Sequence, residues 1–459
     1  MTFDPILAEI RFGTGLSPRF PLPGQVDDLL IRLSSPDAAG SEMPIPPYSD
    51  VTPSSSELRK ATADVRNAET EAAREEAVAL RKILQDQARR IRHDGLTATL
   101  MRAVRSPDGM RERLTAFWAD HFTVRARGGV TRHLVGPFVE EAIRPNLTGR
   151  FSDLLVAVTT HPMMGYYLDQ HRSIGPNSRM GLNNGLGLNE NLARELLELH
   201  TVGVKGPYSQ ADVRQLAELL TGLYWRPDRG LVFRTRAAEP GPEQVLGRSY
   251  GGEEESLDAI VDVLHDLALH PATARHLATK LVVHFVSDTP DPDLVDAVAA
   301  VYLQSGGRLL ATYEALLQHP AAWAPERRKV KKPLDFMQSA MRALDVDPAS
   351  VRDLGGRQMR AWFYEHLRRM GQEWERPLSP EGWPEEPEAW VTPQALAGRI
   401  DWSMQVPQHL VEPLPDPRDF LVAAFGPEPP EEVAFAARAA EGRREGIGLV
   451  LASAAFQRR

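Results

Sequence analysis

Residues 56–94 read SELRKATADVRNAETEAAREEAVALRKILQDQARRIRHD, a run without glycine or proline. Glutamate, arginine and alanine dominate this run, and alanine, arginine and glutamate are good helix formers. Apolar side chains recur along it at helical spacing, at Leu58, Val65, Ala72, Leu80, Leu84 and Ile91. The pattern predicts one long charged helix over residues 57–94. Because its apolar stripe is thin, we expect this helix to be partly exposed to solvent.

Helical periodicity continues from this helix almost to the end of the chain. Strand signals occur only at 224–250, where Tyr224, Trp225, Val232 and Phe233 are separated by turn residues. That segment predicts a β-hairpin or an irregular arm. Residues 1–56 combine a short helical start with a Pro/Ser-rich run that predicts an extended arm. We therefore predict an all-α protein, with one large multi-helical domain over 57–459 and an N-terminal helix and arm over 1–56.

Composition excludes several classes of protein. The chain has 459 residues and is 42% hydrophobic, which is enough for a substantial core. It contains no cysteine, so disulfides, thiolate nucleophiles and cysteine-ligated metals are excluded. The 62 acidic residues exceed the 53 basic ones, which disfavours a nucleic-acid partner. The sequence has neither an apolar run long enough to span a membrane nor a recognisable secretory signal, so we expect a soluble, cytoplasmic protein.

The densest group of polar candidates lies in GLNENLARELLELHTVGV, residues 187–204. In a regular α-helix Glu195 and Glu198 share one face, whereas His200 lies about 200° from Glu198. One helix therefore cannot supply a complete metal site, and other segments would have to contribute. The alternative interpretation is structural: an Arg194–Glu198 pair, or a buried ion network of Arg194, Glu195 and Glu198 that fixes helix packing.

Three further stretches carry candidate site residues. His121 lies in the aromatic run FWADHFTV and predicts either a satisfied core histidine or a metal ligand. His276, Lys280 and His284 recur every four residues and predict a cationic ridge, which is alternatively a solvated rim. Trp383 predicts part of a pocket wall or packing of a short loop. Histidines that precede proline at 161, 270 and 319 indicate helix corners, with the histidine near the cap.

Several motifs, taken in order, resemble a bacterial family called domain of unknown function 1800. The run NENLARELLELHT at residues 189–201 carries the resemblance most specifically, and the other matching motifs are FWADHFTV, HPMMGYYLD, YSQADVRQLAELLTGLYW, HPATARHLATKLVVHFV, KVKKPLDFMQSAMRAL and GWPEEPEAW. The resemblance covers nearly the whole chain and implies a single, mainly helical domain. The resemblance implies that members of the family act as partners of a second family, numbered 1501. The proteins of that second family look like sulfatases or phosphatases. Many relatives also look exported.

The chain departs from the family pattern after the arm. Relatives usually carry a His-Asp pair there, whereas this sequence reads AEPGPEQVLG, with Ala238 and Glu239 at those positions. A catalytic or ligand role for that family histidine cannot hold in this protein. Either the position is structural, or an activity of the relatives has been lost.

Two functions are compatible with these residues. The first is a metal-dependent enzyme, hydrolytic or oxidative, with a carboxylate and histidine site between helices that holds Mn, Fe or Zn. The second is a non-enzymatic partner or maturation factor for a sulfatase-like companion of the 1501 family. The first hypothesis assigns catalysis to Glu195, His121 and Glu198, metal binding to Glu195, His200, His121 and Glu190, and substrate binding to His276, Lys280, His284 and Trp383.

Overall fold

The computed structural model describes residues 2–125, 131–184, 187–226, 230–252 and 254–459. Within these ranges the chain is mainly helical, with two small antiparallel two-stranded sheets. The prediction of an all-α fold with a hairpin arm is therefore confirmed. No helix in the described ranges is both long and apolar enough to cross a bilayer.

The first half of the chain forms eleven α-helices in the described ranges. Three of them run directly into wider π-helical turns, at Ala8–Phe12, Val139–Ile143 and Leu196–His200. The helices are α1 (Pro5–Leu7), α2 (Val26–Ser34), α3 (Ala38–Glu42), α4 (Ser55–Asn67), α5 (Glu71–Arg105), α6 (Gly109–His121), α7 (Val135–Phe138), α8 (Phe151–Thr159), α9 (Pro162–Tyr167), α10 (Arg179–Asn184) and α11 (Asn191–Glu195).

The rest of the chain contains the strands and the remaining α-helices. The strands are β1 (Leu223–Arg226), β2 (Gly230–Phe233), β3 (Glu243–Val245) and β4 (Arg248–Tyr250), and they pair as β1–β2 and β3–β4. The helices are α12 (Gln210–Leu219), α13 (Leu257–Ala268), α14 (Pro271–Phe285), α15 (Pro292–Gln304), α16 (Leu309–Gln318), α17 (Pro333–Ala343), α18 (Pro348–Arg352), α19 (Gly356–Met359), α20 (Glu365–Arg369), α21 (Pro393–Gln405), α22 (Pro407–Leu410), α23 (Pro417–Phe425), α24 (Glu431–Ala439) and α25 (Arg443–Ala452).

The prediction of one helix over 57–94 is wrong. The segment is a helical hairpin of α4 and the start of α5, and α5 runs on to Arg105. The break falls after Asn67, and Thr70 starts the second helix by accepting a hydrogen bond from the backbone N–H of Ala73 at 3.2 Å. A threonine at this capping position competes with continuation of the first helix, which the lack of glycine and proline could not reveal.

Two separate hydrophobic cores organise the helices. The first gathers buried side chains from α6, α8, α11–α16 and the first two helices of the chain. The second joins the C-terminal half of α5 to α17, α20, α21 and α23–α25. The boundary at residue 56 stays a prediction, because the division into cores does not follow it.

The three His-Pro corners are helix N-caps. Nδ1 of His161, His270 and His319 accepts a hydrogen bond from the backbone N–H two residues later, at 3.0, 3.1 and 3.3 Å. Proline at the first helical position leaves no N–H to satisfy there. The interpretation of these histidines as parts of helix corners is confirmed.

Candidate functional site

The stretch with the most candidate residues ends in a π-helical turn. α11 stops at Glu195, and residues Leu196–His200 continue as the wider turn. Hydrogen bonds in such a turn join residues five apart instead of four, and the hydroxyl of Thr201 donates to the carbonyl of Leu196 at 2.6 Å. Glu195 and His200 are therefore one turn apart. The α-helical angles assumed from the sequence do not apply to His200.

Two of the predicted site histidines close the end of this turn. Nε2 of His121 lies 3.2 Å from the carbonyl oxygen of His200, and Nε2 of His276 lies 3.1 Å from that of Leu199. A carbonyl only accepts, so Nε2 carries the proton in both rings. Carbonyls at a helix end lack helical partners and need donors. His121 and His276 thus hold the backbone of the candidate site in place.

The rings of the site histidines are close together and neutral. The centroid of the His121 ring lies 5.9 Å from that of His200 and 6.2 Å from that of His276. Burial, helped by the charge of Lys280, lowers the pKa of His200 to about 3 and that of His276 to about 4. The same causes hold the pKa of His121 well below its usual value. None of the three carries a charge at neutral pH.

Several polar groups in this region lack partners among the described residues. Nδ1 of His121 is buried and makes no hydrogen bond there. The ring of His200 and the amine of Lys280 also have no hydrogen bond or ion pair within that part of the chain. Burial lowers the pKa of Lys280, while the carboxylates of Asp120 and Glu385 act in the opposite direction. Of these groups, the Nδ1 of His121 is the buried atom without a partner, whereas Lys280 is partly exposed. A buried polar atom without a partner is rare in proteins and calls for an explanation.

Glu195 supplies the carboxyl group of the candidate site. It is half-buried, and burial, followed by the charges of Glu198 and Glu381, raises its pKa to about 7. Glu381 also acts on the pKa of Lys280, so the two groups share this neighbour. The Glu195 carboxylate has no hydrogen bond or ion pair in the described ranges.

The other two glutamates of the motif lie at the surface. Arg194 pairs with Glu198 at 3.1 Å and with Glu190 at 3.3 Å. The Arg194 side chain is 39% exposed, so this network is not buried. The predicted Arg194–Glu198 pair is confirmed, whereas the alternative of a buried network that includes Glu195 is wrong.

A second, ionic cluster lies beside the first. The carboxylate of Glu385 is 2.7 Å from Nδ1 of His284, 2.9 Å from the amine of Lys329 and 3.1 Å from that of Lys332. Lys332 also binds Asp120 at 2.9 Å. The lysines and His284 hold the pKa of Glu385 well below its usual range, and the two carboxylates raise that of Lys332. His284 is thus bound within this cluster, whereas His276, which was grouped with it, bonds to the carbonyl of Leu199.

Trp383 belongs to this second cluster. Its backbone N–H donates to Asp120 at 2.7 Å, and Trp383 and Asp120 both line a cavity of about 180 Å³. Sequence reasoning missed Lys329, Lys332 and Glu385. The lysine-rich KVKK at 329–332 and the acidic EEPE at 385–388 were the available signals, but nothing in the sequence pairs them.

The predicted metal site gains no support. Across the described ranges, no three histidine, aspartate or glutamate side chains are grouped so that they could hold a metal ion. Of the predicted ligands, Glu190 binds Arg194 and Gln210, and His121 turns Nε2 to a backbone carbonyl.

The two positions that depart from the family pattern have structural contacts. Glu239 is buried, and its carboxylate accepts hydrogen bonds from the backbone N–H of Asn177, at 2.9 Å, and from the side-chain amide of Asn177. Ala238 lies against Gly222, where φ is +91°. The Glu239 contacts tie the arm to Asn177, in the segment between α9 and α10.

These features define a mainly helical protein with titratable groups in and near one π-helical turn that have no partner among the described residues. The chain belongs to the family described as protein of unknown function (DUF1800), whose match covers residues 26–458. It is also 28% identical over 114 residues to an isoprenyl transferase from Streptomyces fradiae. That similarity spans 24% of this chain and 42% of the relative, less than half of its length. No solved structure matches the chain significantly.

The raised pKa of Glu195 predicts a pH-dependent effect on stability. Between its ordinary pKa of 4.5 and about 7, the unfolded chain loses this proton while the folded protein keeps it. Folding stability therefore falls as pH rises through this window. Glu195→Gln cannot ionise, so its stability relative to wild type should increase by about 1–2 kcal/mol from about pH 5 to about pH 8, after allowance for screening.

Urea unfolding at the two pH values measures this difference. Glu190→Gln is the control, because Glu190 directly precedes α11 and is not among the groups that shift the pKa of Glu195. A Glu195→Gln variant that is destabilised equally at both pH values would show that the carboxylate is a structural ion-pair partner.

Proposed function

We propose that the protein is an enzyme that carries out acid–base chemistry, of the hydrolytic kind, with Glu195, His200 and Lys280 as its working groups. The observation that carries the proposal is the absence of hydrogen-bond and ion-pair partners for these three side chains within the described ranges. Elsewhere in those ranges most buried charges are paired, as in the Glu385 cluster. Titratable groups with shifted pKa values and no structural partner are typical of active sites.

The pKa shifts of Glu195 and Lys280 suit the two proton transfers of a hydrolytic step, from the attacking water and to the leaving group. A carboxyl group with a pKa near 7 exchanges its proton at working pH, so Glu195 can act as the general base that activates water. A lysine with a lowered pKa is a better proton donor to a leaving group than an ordinary one, and we assign that role to Lys280. The neutral ring of His200 can accept or donate a hydrogen bond to the substrate.

The remaining predicted residues take supporting roles in this proposal. His121 and His276 position the helix end, through their bonds to the carbonyls of His200 and Leu199. Glu198 adds the negative charge that helps to raise the pKa of Glu195. Substrate contacts by His284 and Trp383 stay predictions, as do a bound divalent metal and cytoplasmic localisation. Metal analysis of untagged protein tests the hypothesis of a metal-dependent enzyme. That hypothesis expects about one equivalent of bound metal in the wild type and none in Glu195→Ala.

Selective modification tests the assignment of Lys280 without a known substrate. Amines react with acetic anhydride in their neutral form, so Lys280 should titrate with a midpoint below the ordinary lysine value of about 10.4. Peptide mass spectrometry after brief acetylation across a pH series gives that midpoint. Lys332, whose pKa is raised by its two carboxylate partners, should stay unreactive in the folded protein. An ordinary or raised midpoint for Lys280 would remove it from the chemistry.

Hydrolysis of a panel of chromogenic esters, amides and phosphoesters tests the activity itself. Glu195→Gln and Lys280→Met should each lower kcat/KM by about 100-fold, within the usual range for one acid–base group. Glu198→Gln should keep activity but move the lower limb of the pH profile down, because a like charge beside Glu195 is removed. Glu190→Gln should leave the profile in place. Full activity in both Glu195→Gln and Lys280→Met would contradict the assignment.

A second candidate function is that of a partner for a sulfatase-like protein of the 1501 family. The observation that favours it is on α5, where Val78, Leu80 and Ile83 are 39%, 48% and 54% exposed on the helical hairpin. Exposed aliphatic side chains on one element favour a protein contact when they form a patch.

Co-purification of the two proteins tests this candidate. The double substitution Leu80→Asp and Ile83→Asp should abolish the complex, since a charge cannot be buried without a counter-charge. Leu378→Asp, at a residue that is 80% exposed elsewhere on the chain, is the control and should leave it intact. No complex between wild-type proteins at micromolar concentrations would count against a partner role.

A further inference from the structure

A basic groove lies away from the residues of the proposed active site. It runs between α5 and the helical segment 356–369, has a volume of about 630 Å³, and includes Arg132 and His133 from the chain before α7. That volume is within the range of about 300–1,000 Å³ that is typical of small-molecule sites. None of Glu195, His200 and Lys280 lines it.

The charge of the groove is opposite to that of the protein. Five arginines line it against two glutamates, Glu365 and Glu373, whereas the whole chain has a formal charge of −9. Both glutamates already have arginine partners, since Glu365 binds Arg360 and Arg368 and Glu373 binds Arg376. Arg92 and Arg89 also pair with carboxylates outside the lining, those of Glu375 and Asp86. The formal excess of positive charge in the described lining therefore rests on Arg132 and on paired arginines that would share their carboxylate partners with a ligand.

The positive groups differ in how firmly they are held. The guanidinium of Arg92 lies 4.9 Å from the centroid of the Tyr364 ring, donates to the carbonyl of Trp374 at 3.0 Å and pairs with the Glu375 carboxylate at 3.2 Å. These contacts fix one cation in place. Arg132 and His93 have neither a hydrogen bond nor an ion pair with the described residues. The groove thus combines a prepositioned guanidinium with groups that are free to bind a ligand.

A buried histidine gives a second, independent indication of a ligand. The His133 side chain is only 2% exposed, and its Nε2 donates to the carbonyl of Pro53 at 2.7 Å. Its Nδ1 is buried and has no partner in the part of the chain that the structure describes. Burial lowers the pKa of His133, so Nδ1 is an acceptor in the neutral ring. It becomes a donor to an anion when the bound charge raises that pKa enough to protonate the ring.

We infer that this groove binds a small molecule that carries a phosphate or diphosphate group. Guanidinium groups match phosphate oxygens with paired hydrogen bonds, and several arginines on two facing helices can surround a single phosphoryl group. Tyr364 offers an aromatic wall for the non-phosphate part of the ligand. The inference does not depend on the proposed catalytic function, because the two sets of residues are separate.

Calorimetric titration of the full chain with inorganic pyrophosphate tests the inference, with chloride at matched ionic strength as the reference. Pyrophosphate should bind, and the affinity should rise as salt is lowered. Arg132→Ala and Arg360→Ala should each weaken binding by about tenfold or more, the effect of one lost charge-assisted hydrogen bond. Arg418→Ala is the control, because Arg418 is 71% exposed, pairs with Asp416 and lies outside the groove.

Three results would overturn the inference. They are no heat above the chloride reference, equal weakening in Arg418→Ala, and tighter binding of a single-stranded oligonucleotide that the groove substitutions abolish. The last would assign the groove to nucleic acid. Neither Arg132 nor Arg360 is among the groups that we assign to catalysis, so both variants should hydrolyse chromogenic substrates as the wild type does. Failure of anion binding therefore leaves the test of the enzyme untouched.

Discussion

The partly buried carboxylate of Glu385 is the constraint on which the arrangement of the two cores depends. Its partners come from separate parts of the fold: His284 from α14 in the first core, and Lys329 and Lys332 from the segment that leads into α17 in the second. Lys332 then reaches Asp120 near the end of α6. Removing one member of such a group leaves a buried charge unpaired, which is more costly than the pairing is stabilising. The network therefore fixes how α6, α14 and α17 meet.

The candidate active site lies beside this network and differs from it in chemistry. In the network nearly every charge has a partner at hydrogen-bond distance, so its groups are committed to one another. At the end of the π-helical turn, Glu195, His200 and Lys280 have no partner within the described residues, although Lys280 lies close enough to Asp120 and Glu385 for their charges to act on its pKa. A rigid, satisfied neighbour can hold an unsatisfied site open, because the unpartnered groups cannot relax towards each other without breaking the pairs around them.

Patterns local in the chain were predictable from sequence, and contacts between distant segments were not. Helical spacing is local, so the all-α fold and the hairpin arm could be predicted, and so could the capping histidines that precede proline. The break at Asn67–Thr70 was missed because a threonine cap carries a weaker signal than glycine or proline. The predicted orientation of His200 relative to Glu198 was wrong because the sequence carries no pattern that marks a π-helical turn. The pairing of Glu385 with Lys329 joins residues 56 positions apart along the chain, and no periodicity encodes it.

The contact between Glu239 and Asn177 bears on how a ligand would be received near α11. The segment that begins at Gly175 is anchored from the arm twice, by the Glu239 carboxylate and by the bond from the N–H of Gly175 to the carbonyl of Ala237. A chain segment that is already ordered before a ligand arrives loses less conformational entropy when it binds. Glu239 thus fixes the start of this segment at Asn177 before any ligand binds, and affinity there would depend on a side chain that need not touch the ligand.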